Sequence, residues 1–338
     1  MRKMRSRKNW RRMLRVDKDR VIRAILKMKE APDTFQKYSD WHHRNMAVAH
    51  MNLNFLAWHR IFLILFEKDM VAADIARGND GRIGLPYWNW AVDNSPDPTT
   101  TNSTGWLWRS EEGGLHIGVG PNGVDNGSGE VDGNYKVEDG AFKEGPDWVV
   151  SAPGAPAYIR RKLNELSVPS QAHIDRALEL TDFDTGDMDR DSGLTSSFRN
   201  VLEGYASNHS PPQLPGLHNR IHIWVGGRYS SRRVTRRPGT LSLTPIAPND
   251  PVFFFHHANI DRIWAIWQER HRTRPQYPSP AAITAARAST PHVKQVDENM
   301  PPWDGSAGTS AITAQDVLST TSLGGPFTSA DNYRYKAP

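Results

Sequence analysis

Eight of the thirteen histidines in this 338-residue chain fall in two groups, within residues 42–59 and 218–257. In the later group His218 and His222 are four apart, a spacing that puts both imidazoles on one face of a helix. Neutral imidazoles side by side can hold a metal ion, and a third donor is at hand in the His256-His257 pair. A lone H-x-x-x-H carries little weight, because many helices have one by accident. The earlier group supplies the missing weight, since His42, His43, His50 and His59 offer a second set of three. The chain has no Cys, so the implied paired site is all nitrogen, a donor set that suits copper, zinc or iron. A zinc hydrolase needs a carboxylate base, as in H-E-x-x-H, and His218-Asn219-Arg220-Ile221-His222 has none.

Helices must position these donors. Asp17 can cap a helix carrying Val21, Ile22, Ile25 and Met28 on one face, and Ala31-Pro32-Asp33 ends it. Thr34 can start a second helix bearing Phe35, Tyr38 and Trp41, with His42 at its end. Residues 44–52 read as a short loop containing His50. From Leu53 to Ile75 the chain is almost continuously apolar, the pattern of a buried central helix. His59 lies within it, where an unpartnered imidazole costs free energy and metal ligation is one remedy. Residues 91–156 read as a long ordered excursion punctuated by Trp106, Trp108, Phe142 and Trp148. Helical signals return at Ala157–Leu166, at His173–Leu180 and in Ser197–Gly204. Asp250-Pro251 then makes a good start for a helix from Val252 to His271.

Composition bounds the rest. The length suits one domain, 1–338, with ample core. Formal net charge is +5, but residues 1–27 hold twelve Lys or Arg against two Asp, which leaves −5 for the remainder. That basic start reads as a solvated helix face; no aromatic-and-basic interleaving continues from it, so a nucleic-acid partner is not expected. No run of eighteen apolar residues is present, so no membrane span is expected. Arg11-Arg12 makes no convincing twin-arginine signal, and the expected location is cytoplasmic, with export by a helper protein left open.

Taken together, the motifs resemble the type-3 copper family of tyrosinases, catechol oxidases and haemocyanins, in its bacterial tyrosinase form. The first match is Trp41-His42, His50 and Phe55-Leu56-x-Trp58-His59-Arg60. The second is Leu217–Gly227 with Asn249-Asp250-Pro251-x-Phe253-Phe254-x-His256-His257-Ala258-Asn259-x-Asp261-Arg262. Ser197–Gly204 matches as well, and the likeness covers about residues 7–335. It implies a mainly α fold, a four-helix bundle around a dinuclear copper site with long irregular loops and a few short strands. It makes His42, His50 and His59 ligands of one copper and His218, His222 and His257 ligands of the other, with His43 and His256 as neighbours. Asp261 resembles an acceptor that orients a ligand imidazole, with a helix salt bridge to Arg262 or a neighbour as the alternative, and no C-terminal shielding domain is expected after the core.

The implied activity is hydroxylation of monophenols to o-diphenols and their oxidation to o-quinones, with dioxygen as co-substrate. An oxidase of catechols or o-aminophenols only is the close alternative, and an oxygen carrier the remote one. Glu203 and Asn219 resemble a pair that holds a water poised to take the phenol proton, the alternative for Glu203 being a helix-end role or an ion pair with Arg199. Phe253 resembles a residue stacked over the second copper, and Ile223 and Thr244 fall at the expected pocket rim. A helper protein that delivers copper is a possible partner beside the small phenolic substrate. The sequence departs from the family pattern at Ala57, where many members have Pro, and in the stretch 230–238. There Arg232, Arg233, Arg236 and Arg237 are expected to border the pocket mouth and to favour anionic phenols weakly.

Overall fold

Nine α-helices order the described residues: α1 (Arg15–Glu30), α2 (Pro32–Arg44), α3 (Met46–Ala49), α4 (Phe55–Ala76), α5 (Gln171–Glu179), α6 (Phe198–Glu203), α7 (His218–Gly226), α8 (Val252–Arg270) and α9 (Pro280–Ala286). The four short strands are β1 (Arg5–Arg7), β2 (Asn299–Asp304), β3 (Ala311–Thr313) and β4 (Tyr333–Tyr335). The computed structural model describes residues 4–30, 32–93, 107–108, 135–151, 155–163, 167–184, 197–204, 216–227, 239–288 and 290–337.

α4 and α8 form the centre. In α4, 16 of 22 residues are buried, and in α8 every residue from Val252 to Trp264 is. A helix that is apolar all round can only be covered on every side. α4 packs on α1, α2 and α8, and α7 packs on α8. The seam between α4 and α8 is aromatic: Phe254 stacks on Phe66 at 3.6 Å and on Phe62 at 5.7 Å. All three are fully buried, and each such side chain contributes about 1.5–3 kcal/mol of transfer free energy. Asp250 starts α8 by accepting from Val252 N–H at 3.1 Å, and it is itself gripped by buried Arg161 through two 2.7 Å contacts. No helix among the described residues is long and apolar enough to cross a membrane.

Three expectations are corrected. The basic start is not a solvated helix face throughout: residues 5–7 form β1, paired in parallel with β4, and Arg7 is fully buried. Residues 44–52 are not all loop, because Met46–Ala49 makes one helical turn. Residues 157–163 are not helical. They are irregular around an isolated bridge between Lys136 and Arg160, with Val137 N–H donating to Ile159 O and Arg161 N–H to Tyr135 O, both at 2.9 Å. There the pairing partner overrides a local helical preference that is weak to begin with.

Candidate metal centre

Each bundle helix carries part of the site. α2 brings His42, α4 brings His59, α7 brings His218 and His222, and α8 brings His256 and His257. His50 is different, standing at the C-terminal end of α3 with extended backbone, φ −132° and ψ 158°. Its position is held locally. Asn52 donates from Nδ2 to the carbonyls of Ala47 and His50, both at 2.7 Å, and Met51 takes φ +60°, unusual for a side chain larger than Gly.

Two groups of donor atoms result, each spanning no more than 4.8 Å: His42, His50 and His59 in the first, His218, His222, His256 and His257 in the second. They adjoin, since His59 and His257 stack at 4.3 Å and 14°. All seven rings are buried. Burial first, and for all but His222 the neighbouring imidazoles second, lowers their pKa values: His50 to about 3, His222 to about 4, and the other five well below the ordinary value. At neutral pH these rings are therefore uncharged.

Tautomers follow from the hydrogen bonds. Nδ1 of His59 donates to Phe55 O (2.9 Å), that of His218 to Glu203 O (3.2 Å) and that of His222 to Leu241 O (2.7 Å). A carbonyl only accepts, so in each neutral ring Nδ1 carries the hydrogen and Nε2 presents a lone pair. The Nε2 atoms of His218 and His222 nevertheless face each other at 2.9 Å, and His218 Nε2 lies 3.2 Å from His257 Nε2. Between His218 and His222 two lone pairs so close repel unless a cation lies between them. With metal–nitrogen bonds of about 2.0–2.1 Å, these separations correspond to roughly 90–100° at one metal. In the first group Nε2 of His59 has no hydrogen-bond partner, and neither ring nitrogen of His42 or His50 makes a hydrogen bond of good geometry, the Thr244 and Met46 carbonyls being weakly placed acceptors. The donor set thus fits a pair of metal ions, and the carbonyls behind it orient the rings as in other metal sites.

Comparison with known proteins agrees. Residues 23–270 match the family model for the common central domain of tyrosinase. The chain belongs to the tyrosinase family. It is 32% identical to a tyrosinase of Streptomyces lincolnensis over 317 residues, covering 90% of this chain and 94% of the other. Grixazone synthase of Streptomyces griseus subsp. griseus is 30% identical over 297 residues, covering 80% and 86%. A polyphenol oxidase variant from Thermothelomyces thermophila shares the fold, with TM-score 0.61 and 20% identity over 99% of this chain and 89% of that one. The protein is a tyrosinase-like copper enzyme, and its two histidine groups fit the family's dinuclear copper centre.

Other residues of this tyrosinase-family site are placed as follows. Phe253 is fully buried between the groups, stacked on His257 at 4.1 Å and edge-on to His42 at 5.0 Å. Glu203 is fully buried, its Oε1 accepting from Met51 N–H and its Oε2 from Arg199 at 2.6 Å. Burial raises its pKa to about 7 against the opposing pull of Arg199. It touches both halves, the side chain reaching the residue after His50 and the carbonyl holding His218. Asn219 is half-buried and packs on Gly204, whose φ of +105° favours glycine; a Cβ there would lie 3.1 Å from Asn219 Cβ. Ile223 and Thr244 are half-buried, and the Thr244 carbonyl raises the pKa of His42 slightly. His43 is exposed. The arginine-rich stretch 230–238 lies outside the described residues, but Gly239 N–H returns to Gly226 O and Leu241 holds His222.

Asp261 does not orient an imidazole. Its Oδ1 accepts from Arg60 at 2.5 Å, and its Oδ2 from Arg7 (3.1 Å), Tyr333 (2.7 Å) and Tyr335 (2.6 Å), while His257 Nδ1 has no partner. Sequence reasoning also misses Phe55, whose ring lies 4.8 Å from His59 and 4.9 Å from His218, and Leu241. Phe55 stands in the quoted motif; nothing marks Leu241, because a backbone carbonyl has no residue type.

Proposed function

We propose that the protein is a type-3 copper oxygenase and oxidase, converting monophenols to o-diphenols and these to o-quinones with dioxygen. His42, His50 and His59 hold one copper, and His218, His222 and His257 hold the other. The observation that carries the reading is the set of buried, neutral imidazoles whose Nε2 atoms face one another across 2.9 and 3.2 Å. When bound, the copper pair supplies dioxygen activation and the two-electron oxidation of the phenol. The protein fixes the donors, keeps water out with Phe55 and Phe253, and handles the proton. A phenol with a pKa near 10 costs about 4 kcal/mol to deprotonate at pH 7. Glu203 and Asn219, brought together at Gly204 beside His218, hold a water that takes this proton from the phenol oxygen.

A second reading is favoured by one observation. Both carboxylate oxygens of Glu203 are already engaged, by Met51 N–H and Arg199, as an anchor would be. In that case the enzyme oxidises o-diphenols or o-aminophenols without hydroxylating monophenols, and the family includes a relative named grixazone synthase rather than tyrosinase. Initial rates on tyramine and dopamine separate the two, on protein shown to hold two coppers. Glu203→Gln and Asn219→Ala should cut the monophenol-to-diphenol rate ratio by about tenfold, the low end of general-base assistance. Parallel loss on both substrates makes Glu203 an anchor, and absent monophenol turnover in the parent protein decides for the second reading.

A further inference from the structure

The second histidine group contains one imidazole more than a copper site of three needs. His256 is fully buried on α8, and neither of its ring nitrogens makes a hydrogen bond of good geometry, the His218 carbonyl being a weakly placed backbone acceptor. It lies parallel to His218 at 5.2 Å and 14°, 5.2 Å from His222 and 5.1 Å from His257. By contrast His43, the corresponding neighbour of His42, is exposed. A buried polar group so poorly satisfied costs free energy, so mere packing at this position would be better served by an apolar side chain. We infer that His256 is an auxiliary donor to the second copper, giving that site four imidazoles within reach where the first has three. The inference rests on the dinuclear copper reading.

The distances allow it. Two nitrogens on one metal are at most about 4.2 Å apart for bonds of 2.0–2.1 Å. The four donor atoms of the second group already lie within 4.8 Å of one another. The excess over that limit is about 0.6 Å, 4.8 Å less 4.2 Å. His256 thereby keeps the second site metallated when another ligand is displaced, so the second copper is the first to bind and the last to leave.

The test uses Cu(I) competition with bicinchoninate on the full chain, reading stoichiometry and affinity rather than turnover. Leu and Met fill similar volumes, but only the Met thioether is a good Cu(I) donor. His256→Leu should weaken the tighter copper by about tenfold or more, the scale seen when groups supporting a metal site are lost. His256→Met should restore much of it. As a second arm, His257→Ala should still bind two coppers, and His256→Leu combined with His257→Ala only one. If Leu and Met at 256 behave alike, or if His257→Ala loses the second copper as fully as the double variant, His256 is packing and the inference is overturned while the copper reading stands. Parent protein that binds no copper overturns both.

Discussion

α4 and α8 carry two buried polar clusters only a residue or a turn apart, and the two are built on opposite terms. His59 and His257 belong to the imidazole cluster; Arg60 and Asp261 belong to an ionic one that also takes in Arg7, Glu67, Tyr333 and Tyr335. In the ionic cluster every carboxylate oxygen of Asp261 and Glu67 is matched inside the protein, with Arg7 bonded to Glu67 at 3.0 Å and its guanidinium 3.6 Å over the Tyr333 ring. In the imidazole cluster most ring nitrogens turned towards the centre have no protein partner other than one another. One cluster has its charges matched as folded, with Nη2 of Arg60 its one member nitrogen lacking a hydrogen bond, and it fastens both ends of the described chain to the two central helices. The other is a set of donors made whole by metal from outside.

The largest expected effect tests that contrast at neighbouring positions. His59→Leu should remove one copper and abolish turnover, yet leave the metal-free protein within about 1 kcal/mol of the parent, because an unsatisfied polar group is exchanged for an apolar one. Copper analysis and urea unfolding of the metal-free form check both halves; a large loss of metal-free stability would mean the imidazoles are structural. Asp261→Ala should do the reverse. Stranding Arg60 and Arg7 in the interior should cost about 3–5 kcal/mol of unfolding free energy, seen as a lowered urea midpoint with copper still bound per folded chain. Stability unchanged in Asp261→Ala would dissolve the contrast.

A smaller effect comes from acid. The buried imidazoles bind protons less readily folded than unfolded, where their pKa is about 6.5, so stability rises with pH across that window and is lost below it. Metal-free protein should lose at least about 2 kcal/mol between pH 7 and pH 5 by urea unfolding. Glu203, raised to about 7 by burial, works the other way, but it is one group against seven. Asp261 titrates apart. Burial pushes its carboxyl up, yet Arg60 and Arg7 outweigh that and hold it below the usual range. Its contribution is therefore present above about pH 4 and lost only as pH falls through the lowered value. A stability profile flat from pH 7 to 5 would show that the imidazoles are not held neutral.

The donors and the helices that carry them are legible from spacing, because metal ligation needs particular residue types and a buried helix needs an apolar face all round. His218 and His222 at four apart, and the apolar run around His59, require no tertiary knowledge. The ends and partners of the elements are less so: residues 157–163 are not helical because a segment some 22–26 residues earlier bridges to Ile159–Arg161, which no local pattern records. Asp261 shows the limit most plainly. One turn after His257 it reads either as that ring's partner or as a salt-bridge residue, and the fold takes the second course with distant groups: its oxygens are taken by Arg60, by Arg7 from one end of the chain and by Tyr333 and Tyr335 from the other. Which of two adjacent histidines is exposed, which carbonyl fixes a ring's tautomer, and whether a buried charge is matched all depend on groups far away in sequence. Residue type and spacing determine what chemistry is possible here; only the packed fold decides which polar atoms are satisfied by the protein and which are left for copper.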